Sequence, residues 1–220
     1  MRRNITQTGH QAGDERRYID NDWFALGIPA NVTLGNHVYI DTSYGFTGFH
    51  SKKRNALFID EASGCYDRTN IITGILGKVH IGKFSILNGT TLISNKSILI
   101  GDHCMLGWGS VVTDSWLQND LGKRQIALQE AAESPDRPMP YHSEPLPVVL
   151  EDNVWIGFDS VIMPGVTIGQ GAIIGSKTVI TEDVPPYAVV VGNPQKIIRY
   201  LSPNDTLEAK AAAFERHLSK

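Results

Sequence analysis

The chain has 220 residues, enough for one large core or two small ones. Its formal net charge of −3 and 20% charged content give no basis for nucleic-acid or anionic-membrane binding, and no apolar run nears the roughly 18 residues a membrane span needs. Two cysteines, Cys65 and Cys104, define no disulfide framework, so a reduced cytoplasmic setting is expected.

Residues 1–30 are expected to form a loose N-terminal segment, polar at its start and without the apolar core of a secretory signal. From Leu34 a new pattern begins. Leu34 and Ile40 stand six apart, as do Ile81, Leu87 and Ile93, and then Ile100, Leu106 and Val112 after an extra residue in SNKSILIG. The phase is longest at Leu150, Ile156, Ile162, Ile168, Ile174 and Ile180. A small or β-branched residue follows each after four positions: Val154, Ser160, Val166, Ala172, Thr178 and Val184.

A helix repeats its apolar face at three or four residues and a half-buried strand at two, so neither explains a period of six. A short strand, a turn and an equivalent strand do explain it, with both residue sets pointing inward. Gly157, Gly165, Gly169, Gly171 and Gly175 are expected to supply the backbone freedom of the corners. Cys104 falls on an inward small position and is expected in the core, while His103 occupies a corner and His80 points out of its strand.

Two stretches interrupt the pattern. Residues 41–75 are irregular and carry Tyr44, Phe46 and Phe49, aromatics suited to capping the end of a core or to lining a pocket. Residues 113–147 form a longer excursion: LGKRQIALQEAAES can form a short helix, and the proline-rich PDRPMPYHSEPLP must run as a loop. After Leu201, Ser202, Pro203 and Asp205 announce a C-terminal helix over 202–220.

The stretch VWIGFDSVIMPGVTIGQGAIIGSKTVITEDVPPYAVVVGNPQKIIRYL resembles the end of the left-handed β-helix of hexapeptide-repeat acyltransferases. That group includes maltose, galactoside and xenobiotic O-acetyltransferases and those of surface-polysaccharide synthesis. The match is close over 79–116 and 148–201 and weaker over 32–75. The resemblance implies an all-β fold, a left-handed parallel β-helix over 31–201 with the loop excursion and the terminal helix. It also implies a homotrimer with sites at subunit boundaries.

By the same resemblance the donor is acetyl-CoA. Trp155 and Gly157 match residues beside its reactive end, Ser176 and Thr181 match donor-contacting positions, and Lys196 and Arg199 match the two cations that meet the CoA phosphates. Glu182 stands where relatives often carry lysine. On the acceptor side, Asp114, Ser115 and Trp116 would border a sugar or small-molecule acceptor.

Acyl transfer to a hydroxyl needs a base, and the family's usual histidine is replaced here by Leu117 and Gln118. Three explanations fit. The base has moved, with His142 the candidate and Asp114 its orienter; the acceptor is an amine; or the chain is a catalytically silent scaffold. A γ-carbonic-anhydrase-like metal site would need a His-x4-His spacing, which His80, His103 and His142 do not supply, so no metal is expected.

Overall fold

The computed structural model describes residues 5–6, 17–135, 139, 141 and 144–202. The expected C-terminal helix beyond Ser202 and the candidate base His142 lie outside the described residues.

Three parallel sheets account for the repeat, and the chain visits them in rotation. The first contains Val32–Leu34, Leu57–Ile59, Val79–Ile81, Ile98–Ile100, Val148–Leu150 and Thr167–Ile168. The second contains Tyr39–Ile40, Gly64–Tyr66, Ile86–Asn88, Met105–Leu106, Trp155–Ile156, Ile173–Ile174 and Ala188–Val191, and ends on the antiparallel Lys196–Tyr200. The third contains Asn70–Thr73, Thr91–Ser94, Val111–Thr113, Val161–Ile162 and Val179–Ile180.

The register turns the six-residue period into three stacks of inward side chains, all buried except the half-buried Leu34. Leu34, Ile59, Ile81, Ile100, Leu150 and Ile168 pair in sequence across the first sheet. Ile40, Cys65, Leu87, Leu106, Ile156, Ile174 and Val190 do so across the second. The third stacks Ile71, Leu92, Val112, Ile162 and Ile180. Burying each such side chain contributes about 1.5–3 kcal/mol. The second residue set fills the corners from inside: Val154, Ser160, Val166, Ala172, Thr178 and Val184 are all buried.

The corners repeat with the same period. Asn153, Asp159, Gly165, Gly171 and Lys177, each six residues from the next, all have φ between 54° and 85°. Only two of the five are glycine, so asparagine, aspartate and even lysine hold a left-handed conformation that side chains usually avoid. His103, at φ 58°, holds such a corner and stacks on Phe84.

Two sequence expectations need correction. Ile93 is not the inward residue of its strand: Leu92 is fully buried and Ile93 only half-buried. The stack there comes five residues after Leu87, and the longer SNKS corner restores the phase at Ile98–Ile100. Gly157, Gly169 and Gly175 serve close approach rather than left-handed corners. A Cβ on Gly157 would lie 2.5 Å from the Ser176 amide nitrogen of the next coil.

At the N-terminal end, Ile19 and Ile28 are buried against the core, and Phe46 continues the Leu34–Ile40 phase in a 3-10 turn, Ser43–Phe46. Phe46 is therefore the capping aromatic, packed edge-to-face on Phe49, whereas Tyr44 is exposed and stacks on Trp23. The excursion contains one helix, α1, Leu121–Glu133, whose first turn is capped by Asp120 accepting the Lys123 N–H at 2.9 Å. None of its side chains is buried.

Candidate functional site

The outer face of the second sheet gathers three of the six expected donor residues, Trp155, Lys196 and Arg199. Trp155 pairs with Ile173, Ile173 with Val189, and Val189 with Arg199, so one row of outward residues runs from the tryptophan to the arginine. Lys196 pairs with Val191, two residues along from Val189. Side chains two apart on a strand share a face, so Lys196 and Arg199 project together. A regular strand would place residues 196 and 199 on opposite faces; a register shift between Val189 and Val190 leaves Ile198 unpaired and corrects this. Trp155, Lys196 and Arg199 are all exposed.

At the edge of this sheet, Gly157 and Ser176 meet across two coils. The Ser176 Oγ accepts the Phe158 N–H at 3.1 Å. Thr181 sits elsewhere, beyond the third sheet. Its N–H and that of Glu182 are both taken by the Gln195 side chain, at 2.7 and 3.2 Å. Gln195 thereby ties the Thr181 corner to the strand that begins at Lys196, a role that no pattern in the sequence marked.

The acceptor-side residues lie on the same corner as Thr181. Val112, Ile162 and Ile180 stack in register, so Thr113 and Thr181 are two coils apart, roughly 10 Å. Asp114 is fully buried. Its carboxylate accepts from Ser94 Oγ at 2.8 Å, the Asn95 and Lys96 N–H groups at 2.8 Å each, and Ser115 Oγ at 2.6 Å. Asn95 Nδ2 donates to Ser115 Oγ at 2.7 Å, and Ser115 is itself buried, while Trp116 is 43% exposed.

Tyr141, missed in the sequence, forms an isolated bridge with Leu117 beside this corner. Burial and the Asp114 charge raise its phenol above the usual tyrosine range. His50, His80 and His103 are exposed, and His80 packs edge-to-face on Phe58. Among the described residues no three His, Cys, Asp or Glu side chains converge as a metal site. No helix among them is long and apolar enough to cross a membrane. Cys65 and Cys104 are both free and buried.

Three parallel sheets built on six-residue units define the class of hexapeptide-repeat proteins. Residues 147–182 match the family described as bacterial transferase hexapeptide (six repeats). It is 34% identical over 122 residues to the provisionally named acetyltransferase C18B11.09c of Schizosaccharomyces pombe, covering 55% of this chain and 52% of that one. A chloramphenicol acetyltransferase of Agrobacterium fabrum is 49% identical over 59 residues, 27% of this chain and 28% of the other. The chain thus spans about half or less of the length of these relatives. Among solved structures, the hexapeptide-repeat acetyltransferase VCA0836 of Vibrio cholerae, complexed with acetyl-CoA, aligns with a TM-score of 0.53 at 27% identity, over 64% of this chain and 69% of that one. A mutant of the N-acyltransferase AntD of Bacillus cereus shares the fold at a TM-score of 0.59 and 20% identity, over 84% of this chain and 91% of that one.

Proposed function

We propose that the protein transfers an acetyl or other short acyl group from CoA to a hydroxyl or amine of a sugar or small metabolite. The observation that carries this reading is the shared outward face of Trp155, Lys196 and Arg199, made possible by the unpaired Ile198. Two cations on one exposed face suit the CoA phosphates. The close approach of Gly157 and Ser176 leaves a ridge without bulky side chains, along which an extended pantetheine arm can lie. The similarity to a Vibrio cholerae acetyltransferase complexed with acetyl-CoA supports the same donor.

In this proposal residues 31–201 wind as a left-handed β-helix, and three copies assemble in the cytoplasm as a homotrimer. Thr181 and the Asp114 corner stand across the third sheet from Ser176, and a neighbouring subunit brings the two halves together. Trp116 borders the acceptor. Asp114, with four hydrogen bonds already accepted, is a positioning residue for that corner rather than the base. His142 takes the proton as the acceptor oxygen or nitrogen attacks the thioester carbonyl. The C–S bond breaks and the CoA thiol departs.

Calorimetric titration of acetyl-CoA into the full chain tests the donor site. Micromolar binding, weakened by Lys196→Ala and by Arg199→Ala, is expected; no binding by the wild type overturns the transferase reading. His142→Ala is expected to lower turnover at least about tenfold with donor affinity unchanged, and unchanged turnover removes His142 from the mechanism.

A further inference from the structure

Beside the Asp114 corner lies an open groove of roughly 660 Å³, lined among the described residues by Lys53, Lys78, Lys96, Glu144, the apolar Leu76 and Leu146, and Asn95 and Pro145. Those described residues carry a formal charge of +2, three lysines less one glutamate. The lysines come from separate passes of the chain. Lys78 and Lys96 are directly bonded neighbours, the Lys78 N–H donating to the Lys96 carbonyl at 3.1 Å. The Lys53 carbonyl accepts from Asn31 Nδ2 at 3.0 Å, which fixes the backbone that carries the third ammonium.

Like charges on adjacent coils repel, and folding gains nothing from collecting them. Among the described residues, the ion pair that forms is Lys177 with Asp159, far along the chain; none joins these three ammoniums to a carboxylate. Three lysines line one concavity, so an anion seated there is attracted by all of them together. Lysine serves as a point-charge partner for phosphate or carboxylate. The groove is also joined to the proposed acceptor corner. Asn95 and Lys96, two of its lining residues, give their N–H groups to Asp114, and the Asn95 side chain holds Ser115.

We infer that this groove binds the anionic group, phosphate or carboxylate, of the acceptor, so that the acceptor is a charged sugar or metabolite rather than a neutral one. Its role as an acceptor site rests on the acyl-transfer reading; its preference for an anion rests on the groove alone. Glucose 6-phosphate, glucuronate and glucose titrated separately into the full chain provide the test, with Lys53→Gln/Lys78→Gln/Lys96→Gln as the variant. All three lysines are exposed, so the variant is expected to keep the wild-type melting temperature.

At least one anionic sugar is expected to bind about tenfold or more tightly than glucose. The triple variant is expected to lose that preference while keeping wild-type affinity for acetyl-CoA. Preference for the phosphate over the carboxylate, or the reverse, identifies the group. Equal binding of charged and neutral sugars, no binding of any, or a preference that survives in the triple variant overturns the inference. If the variant loses acetyl-CoA affinity instead, the lysines serve the donor and the acceptor assignment falls. Retained anion binding in a chain that takes no acetyl-CoA would sink the transferase reading and leave the anion site standing.

Discussion

Lys196 and Arg199, three residues apart on one strand, face the same way because Ile198 between them has no partner across the strand pair. Deleting Ile198 would remove the bulge yet leave Lys196 and Arg199 two apart on a regular strand, still opposite Val191 and Val189 and on one face. The strand is exposed throughout, so the deletion should leave the melting temperature within a few degrees of the wild type. It should also keep most of the acetyl-CoA affinity that Arg199→Ala removes. A loss as large as that of Arg199→Ala would show that a shared face for the two cations is not enough to hold the donor.

Asp114 is expected to matter more for stability than for proton transfer. Replacing it with alanine strands the Asn95 and Lys96 N–H groups, which now converge on one carboxylate, while the Ser94 hydroxyl keeps the Lys78 carbonyl as an acceptor at 3.0 Å. Asp114→Ala should cost about 1–3 kcal/mol for each buried donor left unsatisfied, read by urea unfolding. Asparagine keeps one acceptor oxygen and should cost less. An alanine variant as stable as the wild type would refute this account of the corner.

Close stacking of the coils makes Gly157 sensitive to a single methyl group. A Cβ there would meet the Ser176 nitrogen at 2.5 Å and the Ile174 carbonyl oxygen at 2.8 Å, both backbone atoms. Gly157→Ala must therefore push two coils apart, at a cost of about 1–3 kcal/mol. The same substitution at Gly122, where a Cβ would meet nothing nearer than 3.5 Å and which lies inside α1, should be neutral or slightly stabilising. Urea midpoints for the two variants settle the comparison.

Both thiols should be silent in the folded protein. Burial, with a smaller contribution from the Asp41 charge, pushes Cys65 up to about 12, and burial chiefly raises Cys104 to about 11. Thiolate is the reactive form, so a disulfide reagent at pH 8 should label neither cysteine until denaturant is added. The stabilising contribution of these neutral thiols is complete below the ordinary value of 9.0. It is lost as pH climbs through about 11 and about 12. Rapid labelling of native protein at pH 8 would show that one of them is accessible.

The stacked core was legible in the sequence because each coil meets one physical demand, an inward aliphatic every six residues. Leu150, Ile156, Ile162, Ile168, Ile174 and Ile180 satisfy it without interruption, and all are buried. Cys104 was readable in the same way, from its phase alone. Ile93 was misread because its strand, Thr91–Ser94, begins early and buries Leu92 and Ser94 instead. A corner that lengthens by a residue or two carries no mark that distinguishes it from a shifted strand.

The residues expected at the site were legible as types and only partly as a place. Period and motif determine which side chains point out of each coil, since that depends on neighbours along the chain. The pairing of Arg199 with Val189, the Asn95–Ser115 contact and the meeting of Lys53, Lys78 and Lys96 depend on how coils stack. Such contacts span 10 residues for the first, 20 for the second and up to 43 for the third. Local preferences cannot encode them. The repeat, its buried residues and the cations near the C-terminal end follow from residue order alone. Which faces those cations share does not, because register and bulges are set only when neighbouring coils close on one another.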